Sequence, residues 1–192
     1  MKKNHWEVFQ WIRNGEGGGN LEGYAEDVFE YFTEKERKEA EELLISDYKN
    51  HRNFSAQGLA MLLKEGSEQF FKKELARNDI NLYQKIHLSS LLTYATKDFL
   101  HANIVVELLK NNELSIRKAA VDNLYLIKKL IPNSSFKIIA NIIIDEAEPM
   151  QRYKLGRLIH EASGMSVLKD LDIDVKLANS KKELAALVKR VN

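Results

Sequence analysis

Apolar positions recur along most of this chain at intervals of three and four residues, the spacing of helices that bury one face. Ile116, Ala120, Leu124 and Ile127 step by 4, 4 and 3, which sets them on one helix face and predicts a core. Thr33-Glu34-Lys35-Glu36 reads as a capping box, the Thr33 hydroxyl accepting from the N3 amide and Glu36 reaching back to the cap amide. A helix is therefore predicted from 34 through Ala40, Leu43, Leu44 and Asp47 to about Asn50. Phe54, Leu59, Leu62 and Leu63 carry a second helix, closed by Gly66, and Ser67 opens a third with Phe70, Phe71 and Leu75 inward. Asn78-Asp79-Ile80-Asn81 turns the chain into a helix from 82 to about 95. Helices over 98–111, 114–130, 135–146 and 149–163 follow, with Pro132 ending one and Pro149 opening another at its first position.

These helices repeat. Leu82-Tyr83-Gln84-Lys85-Ile86-His87-Leu88-Ser89-Ser90-Leu91, laid so that Lys85 falls on Lys118, matches Ser115-Ile116-Arg117-Lys118-Ala119-Ala120-Val121-Asp122-Asn123-Leu124, apolar on apolar and Lys on Lys. Laying Lys118 on Arg152 in turn leads to Pro149-Met150-Gln151-Arg152-Tyr153-Lys154-Leu155-Gly156-Arg157-Leu158, and a weaker copy starts at Phe54. Each copy follows a shorter helix, so the unit is a helical hairpin of about 30 to 35 residues. One hairpin cannot bury its apolar face alone, so neighbours stack. The segment 115–124, with its apolar-Arg start, paired alanines and later leucine, resembles the second helix of a HEAT-like repeat. Gln84 and Gln151 stand where that pattern favours arginine. The resemblance implies an all-α fold, a small right-handed α-solenoid of about four HEAT-like hairpins, and a scaffold that binds protein or, less often, nucleic acid. The whole chain, 1–192, reads as a single domain: an aromatic cap over 1–33, repeats over 34–163 and a C-terminal cap over 164–192.

Charge sharpens the picture more than composition does. The formal net charge is +1, yet the first fifty residues hold seven Lys and Arg against twelve Asp and Glu, while residues 151–192 hold nine against five. A chain acidic at its start and basic at its end can orient a charged partner. The absence of cysteine removes thiolate metal sites, cysteine nucleophiles and disulfides. Met1-Lys2-Lys3 is followed by Asn4-His5-Trp6-Glu7 rather than by the apolar run of a secretory signal, and the most apolar run, 136–144, is interrupted by Lys137 and Asn141. No membrane and a cytoplasmic location are expected.

The candidate partner surface is the second face of the repeated helix. Lys118, Asp122, Tyr125 and Lys129 step by 4, 3 and 4 away from the core face, with Lys85, Ser89 and Leu92 as counterparts before them and Arg152, Gly156, Ile159 and Ser163 after. Lys85, Lys118 and Arg152 would then stack as a basic ladder, flanked by Tyr125, Arg157 and His160, able to hold an acidic protein surface or a phosphate backbone. At the N-terminus, Trp6, Phe9, Trp11, Tyr24, Phe29, Tyr31 and Phe32 are expected to cover the first hairpin, with one or two left exposed as anchors.

The remaining motifs are weak. Gly15-Glu16-Gly17-Gly18-Gly19-Asn20 lacks the strand before it and the Lys-Ser/Thr after it that a phosphate loop needs. Leu171-Asp172-Ile173-Asp174-Val175-Lys176-Leu177 alternates like a strand but reads as an extended link before a helix capped at Ser180, with an edge for a partner's sheet as the alternative. Its aspartates miss the glycine and glutamate of a calcium loop. The histidines never pair at i, i+4, and His87, set by the repeat at the Ala120 position, is expected in the core. No catalytic residue, cofactor or metal is expected. The function expected is protein binding, most specifically a bacterial immunity protein that blocks a cognate toxin, with nucleic-acid binding or a generic adaptor as alternatives.

Overall fold

The computed structural model describes residues 4–14, 24, 27–50, 54–62 and 65–163, and among them every regular element is helical. They divide into two compact units, one ending at Asn78 and one beginning at Asp79. The glycine-rich run, the alternating segment 171–177, the cap at Ser180 and the C-terminal cap lie outside the described residues.

The first unit contains α1 (His5–Arg13), α2 (Asp27–Glu30), α3 (Glu34–Lys49), α4 (Ser55–Leu62) and α5 (Glu65–Leu75). Asn4 and Thr33 each build a full capping box, with Glu7 and Glu36 as the reciprocal acids, so α3 begins where the sequence predicts and ends at Asn50. The N-terminal aromatics form the expected cluster: Phe9 is fully buried and its ring lies 5.6 Å from Tyr24, 6.0 Å from Phe29 and 5.8 Å from Phe32. Tyr31 is left outside, 66% exposed, with its ring 4.5 Å from that of His5. Arg13 holds the buried Asp47 through two bonds, Nε to Oδ2 at 2.6 Å and Nη2 to Oδ1 at 3.0 Å, tying α1 to α3.

Two expectations here are corrected. Phe54 does not lie inside α4; it precedes it at φ 63°, half-exposed, and its carbonyl accepts from the Gly58 amide at 2.8 Å. Gly66 does not close α4. It is the second residue of α5, where the Glu41 carboxylate approaches so closely that any Cβ would collide with it, and where Ser67 Oγ donates to Glu41 Oε1 at 3.4 Å. A carboxylate at a helix N-terminus satisfies free amides and complements the helix dipole.

The second unit contains α6 (Leu82–Thr96), a 3-10 turn (Phe99–Ala102), α7 (Asn103–Leu108), α8 (Leu114–Leu126), a 3-10 turn (Lys128–Leu130), α9 (Asn133–Asp145) and α10 (Pro149–Ser163). The helix expected over 98–111 is broken because Lys97 takes a left-handed conformation, φ 60°, and the Asp98 carboxylate captures the Leu100 amide at 3.0 Å. The core joins Ile86, Val105, Leu109, Ile116, Ala120, Leu124, Ile127, Phe136, Ile139, Leu155, Leu158 and Ile159. Within it α8 touches α6, α7 and α10, while α9 packs on α10. Ser89, Ser90 and Thr93 are buried in α6, and Ser90 and Thr93 satisfy their hydroxyls on the carbonyls one turn back, those of Ile86 and Ser89.

Candidate partner-binding groove

The burial pattern fixes the register of the repeated helices. Ile86, Ser90 and Thr93 of α6 are as buried as Ala120, Leu124 and Ile127 of α8, to which they correspond one for one. Ile116, Ala120 and Leu124 correspond in turn to the buried Gln151, Leu155 and Ile159 of α10. Under this register Gln84, Lys118 and Tyr153 share a position, so the three cations of the expected ladder do not. Gly156, Ile159, Ser89 and Leu92, read from the sequence as the polar face, are buried. His87 is exposed rather than in the core, its Nδ1 3.3 Å from Asn123 Oδ1 on α8.

Arg152 aligns with Arg117 and does the same work. Arg117 Nη1 donates to the Asn111 carbonyl at 3.0 Å, and Arg152 Nη1 to the Glu146 carbonyl at 2.9 Å, each bracing the turn that precedes its own helix. Arg117 also makes two bonds to the buried Glu146 carboxylate, Nε at 2.8 Å and Nη2 at 3.0 Å. Burial alone would raise the Glu146 carboxyl, but the bonds from Arg117 and from the Glu148 amide hold it below its ordinary value. This pair lines a polar cleft of about 520 Å³ with Asn111, Asn112, Asn141 and Asp145.

The other expected residues converge between α8 and α10. Asp122, Tyr125 and Arg157 line a groove of about 420 Å³ together with Met150, Tyr153, Lys154 and Glu161, which the sequence reading leaves out. Asp122 Oδ1 accepts from Lys154 Nζ at 2.7 Å, and the Tyr125 hydroxyl donates to the Lys154 carbonyl at 2.7 Å. Glu161 accepts from Lys128 at 2.5 Å on one oxygen and from Arg157 at 2.6 Å on the other. Burial pushes the Tyr125 phenol well above its ordinary value, with Glu161 adding to the rise, so it stays a protonated donor. Met150 is 55% exposed at the groove.

Lys118 is exposed one turn before Asp122, Lys129 is exposed on the turn after α8, and Lys85 is half-buried on α6. His160 is half-buried with its Nδ1 enclosed and without a hydrogen-bond partner among the described residues. The missed residues carry a signal in the sequence: Met150, Tyr153 or Lys154, Arg157 and Glu161 follow one another at helical steps of three and four.

Among the described residues no helix is long and apolar enough to cross a membrane, and no three His, Asp or Glu side chains gather as metal ligands. Comparison with protein-family models, with curated proteins and with solved structures finds no match.

Proposed function

We propose that this chain is a non-enzymatic, cytoplasmic protein-binding module built from HEAT-like hairpins, and that the groove between α8 and α10 receives its partner. The hairpin reading rests on the recurrence of burial from α6 to α8 to α10 and on Arg117 and Arg152 bracing successive turns alike. The observation that carries the functional reading is the groove's make-up: two tyrosines and an exposed methionine in a concave site, rimmed by charges that are already paired. Tyrosine, methionine and arginine are the residue types enriched where proteins meet. The same pairing disfavours nucleic acid, since Lys154, Arg157 and Lys128 each face a carboxylate and Arg152 is engaged by a carbonyl.

The narrowest form of this reading is an inhibitor that covers the active site of a cognate bacterial toxin, which the small size and polarised charge of the chain suit. The test is site-specific photo-crosslinking in cells, with a benzophenone side chain at Met150 and, as control, at Tyr83 on α6. The expected result is a protease-sensitive adduct of one defined mass from Met150 alone, and for the toxin form a partner encoded beside this chain. A nuclease-sensitive adduct, or equal yields from both positions, would overturn it.

A further inference from the structure

The charges around the groove do not balance. The carboxylates are Asp122 and Glu161, whereas the cations are Lys118, Lys128, Lys154 and Arg157. Asp122 satisfies Lys154. Glu161 is divided between Lys128 and Arg157, one oxygen to each, so a single negative charge serves two positive ones. Lys118, exposed one helical turn from Asp122, has no ion-pair partner among the described residues. Arg157 is the more accessible of the two cations that share Glu161, 52% exposed at its side chain against 34% for Lys128, and the Tyr153 hydroxyl bonds to it. Its guanidinium keeps donors free for a second acceptor, because one carboxylate oxygen engages only its Nε. Beside it the rings of Tyr125 and Tyr153 and the thioether of Met150 supply an apolar wall.

From this arrangement we infer that the groove takes an acidic segment of the partner protein flanked by apolar residues, whose carboxylate replaces Glu161 on Arg157. The inference rests on the protein-docking reading of this groove and adds the partner's chemistry. Within the free protein Glu161 occupies the place of that carboxylate. An intramolecular carboxylate that must be displaced weakens binding, so its removal has an effect opposite to that of a folding defect.

The experiment is selection of random dodecapeptides displayed on phage against the full chain, followed by fluorescence-anisotropy titration of the selected peptides. The peptides are expected to pair Asp or Glu with neighbouring Leu, Phe or Trp. Glu161→Gln is expected to tighten their binding by about threefold or more, the scale on which exposed ion pairs compete. Arg157→Glu is expected to abolish binding, and Tyr153→Ala to weaken it strongly. Peptides without acidic residues that still depend on Tyr153 would overturn the inference while leaving protein docking intact. So would a Glu161→Gln variant that binds acidic peptides no better than the parent. If no peptide is enriched, or none depends on Tyr153, both the inference and the docking reading fail.

Discussion

Arg117 and Arg152 perform one task in two successive hairpins: each guanidinium reaches back to a carbonyl of the turn before its helix, at 3.0 and 2.9 Å. Only Arg117 adds a bidentate grip on a buried carboxylate, that of Glu146, the residue whose carbonyl Arg152 holds. The turn between α9 and α10 is thus clamped from two helices, and that turn sets where α10 presents its side of the groove.

Arg117→Ala is expected to be among the most damaging single changes in the second unit. It leaves Glu146 buried, with 2% side-chain exposure, and deprived of its main partner, for a loss of about 3–5 kcal/mol. Asp122→Ala removes an ion pair whose partners are 36% and 58% exposed, and should cost less than about 1 kcal/mol. Urea titrations followed by circular dichroism would separate the two by midpoint.

Acid should loosen the same clamp. The folded Glu146 carboxyl lies below its ordinary value of 4.5, so its contribution is complete above that pH and is lost as pH falls through the lower, folded value. Glu161, bonded by Lys128 and Arg157, is shifted in the same direction and adds to the trend. The stability gap between the parent and Glu146→Gln should therefore be widest near neutrality and close as the pH drops below 4.5. Thermal melts between neutral and acid pH would show it.

Gln151 stands where α8 has Ile116, fully inside the core, and its Oε1 has no hydrogen-bond partner among the described residues. A buried acceptor left unpaired costs about 1–3 kcal/mol. Gln151→Met keeps the length and flexibility of the side chain and removes that cost, and should raise the urea midpoint without changing the slope of the transition.

Lys97 ends α6 at φ 60°, a conformation that costs a non-glycine residue about 1 kcal/mol. Its ammonium lies 4.0 Å from the centre of the Tyr94 ring, a contact worth about 0.5–1 kcal/mol at an exposed site. The two effects nearly cancel. Lys97→Gly is expected to change stability by less than about 0.5 kcal/mol, whereas Lys97→Val, which keeps the strain and loses the ring contact, should destabilise measurably.

Much of the helical layout is legible in local chemistry. The Thr33 capping box places the start of α3, and Pro149 the start of α10, to the residue, because both act within one turn of chain. The interruption at Lys97 is hidden, since nothing in a lysine announces a left-handed backbone. The partner surface is half legible. Asp122, Tyr125 and Arg157 can be picked from the sequence and do converge, but matching Lys118 with Arg152, one position short of its packing counterpart Tyr153, draws attention away from that tyrosine. The offset arises in the connections between α8 and α10, where sequence carries no period. Ser90 and Thr93 obscure the register further, because hydroxyls bonded to their own helix occupy core positions that read as polar.

The central claim is that the α8–α10 groove is where a partner protein docks, and the most direct measurement is calorimetric affinity for the crosslinked partner, compared between Tyr153→Ala and Tyr83→Ala. Tyr83 is 48% exposed on α6 and controls for the loss of a surface ring. The account predicts that Tyr153→Ala weakens binding by about thirtyfold, the effect of a central interface anchor, and that Tyr83→Ala leaves it unchanged. Equal losses from both, or full affinity after Tyr153→Ala, would contradict it.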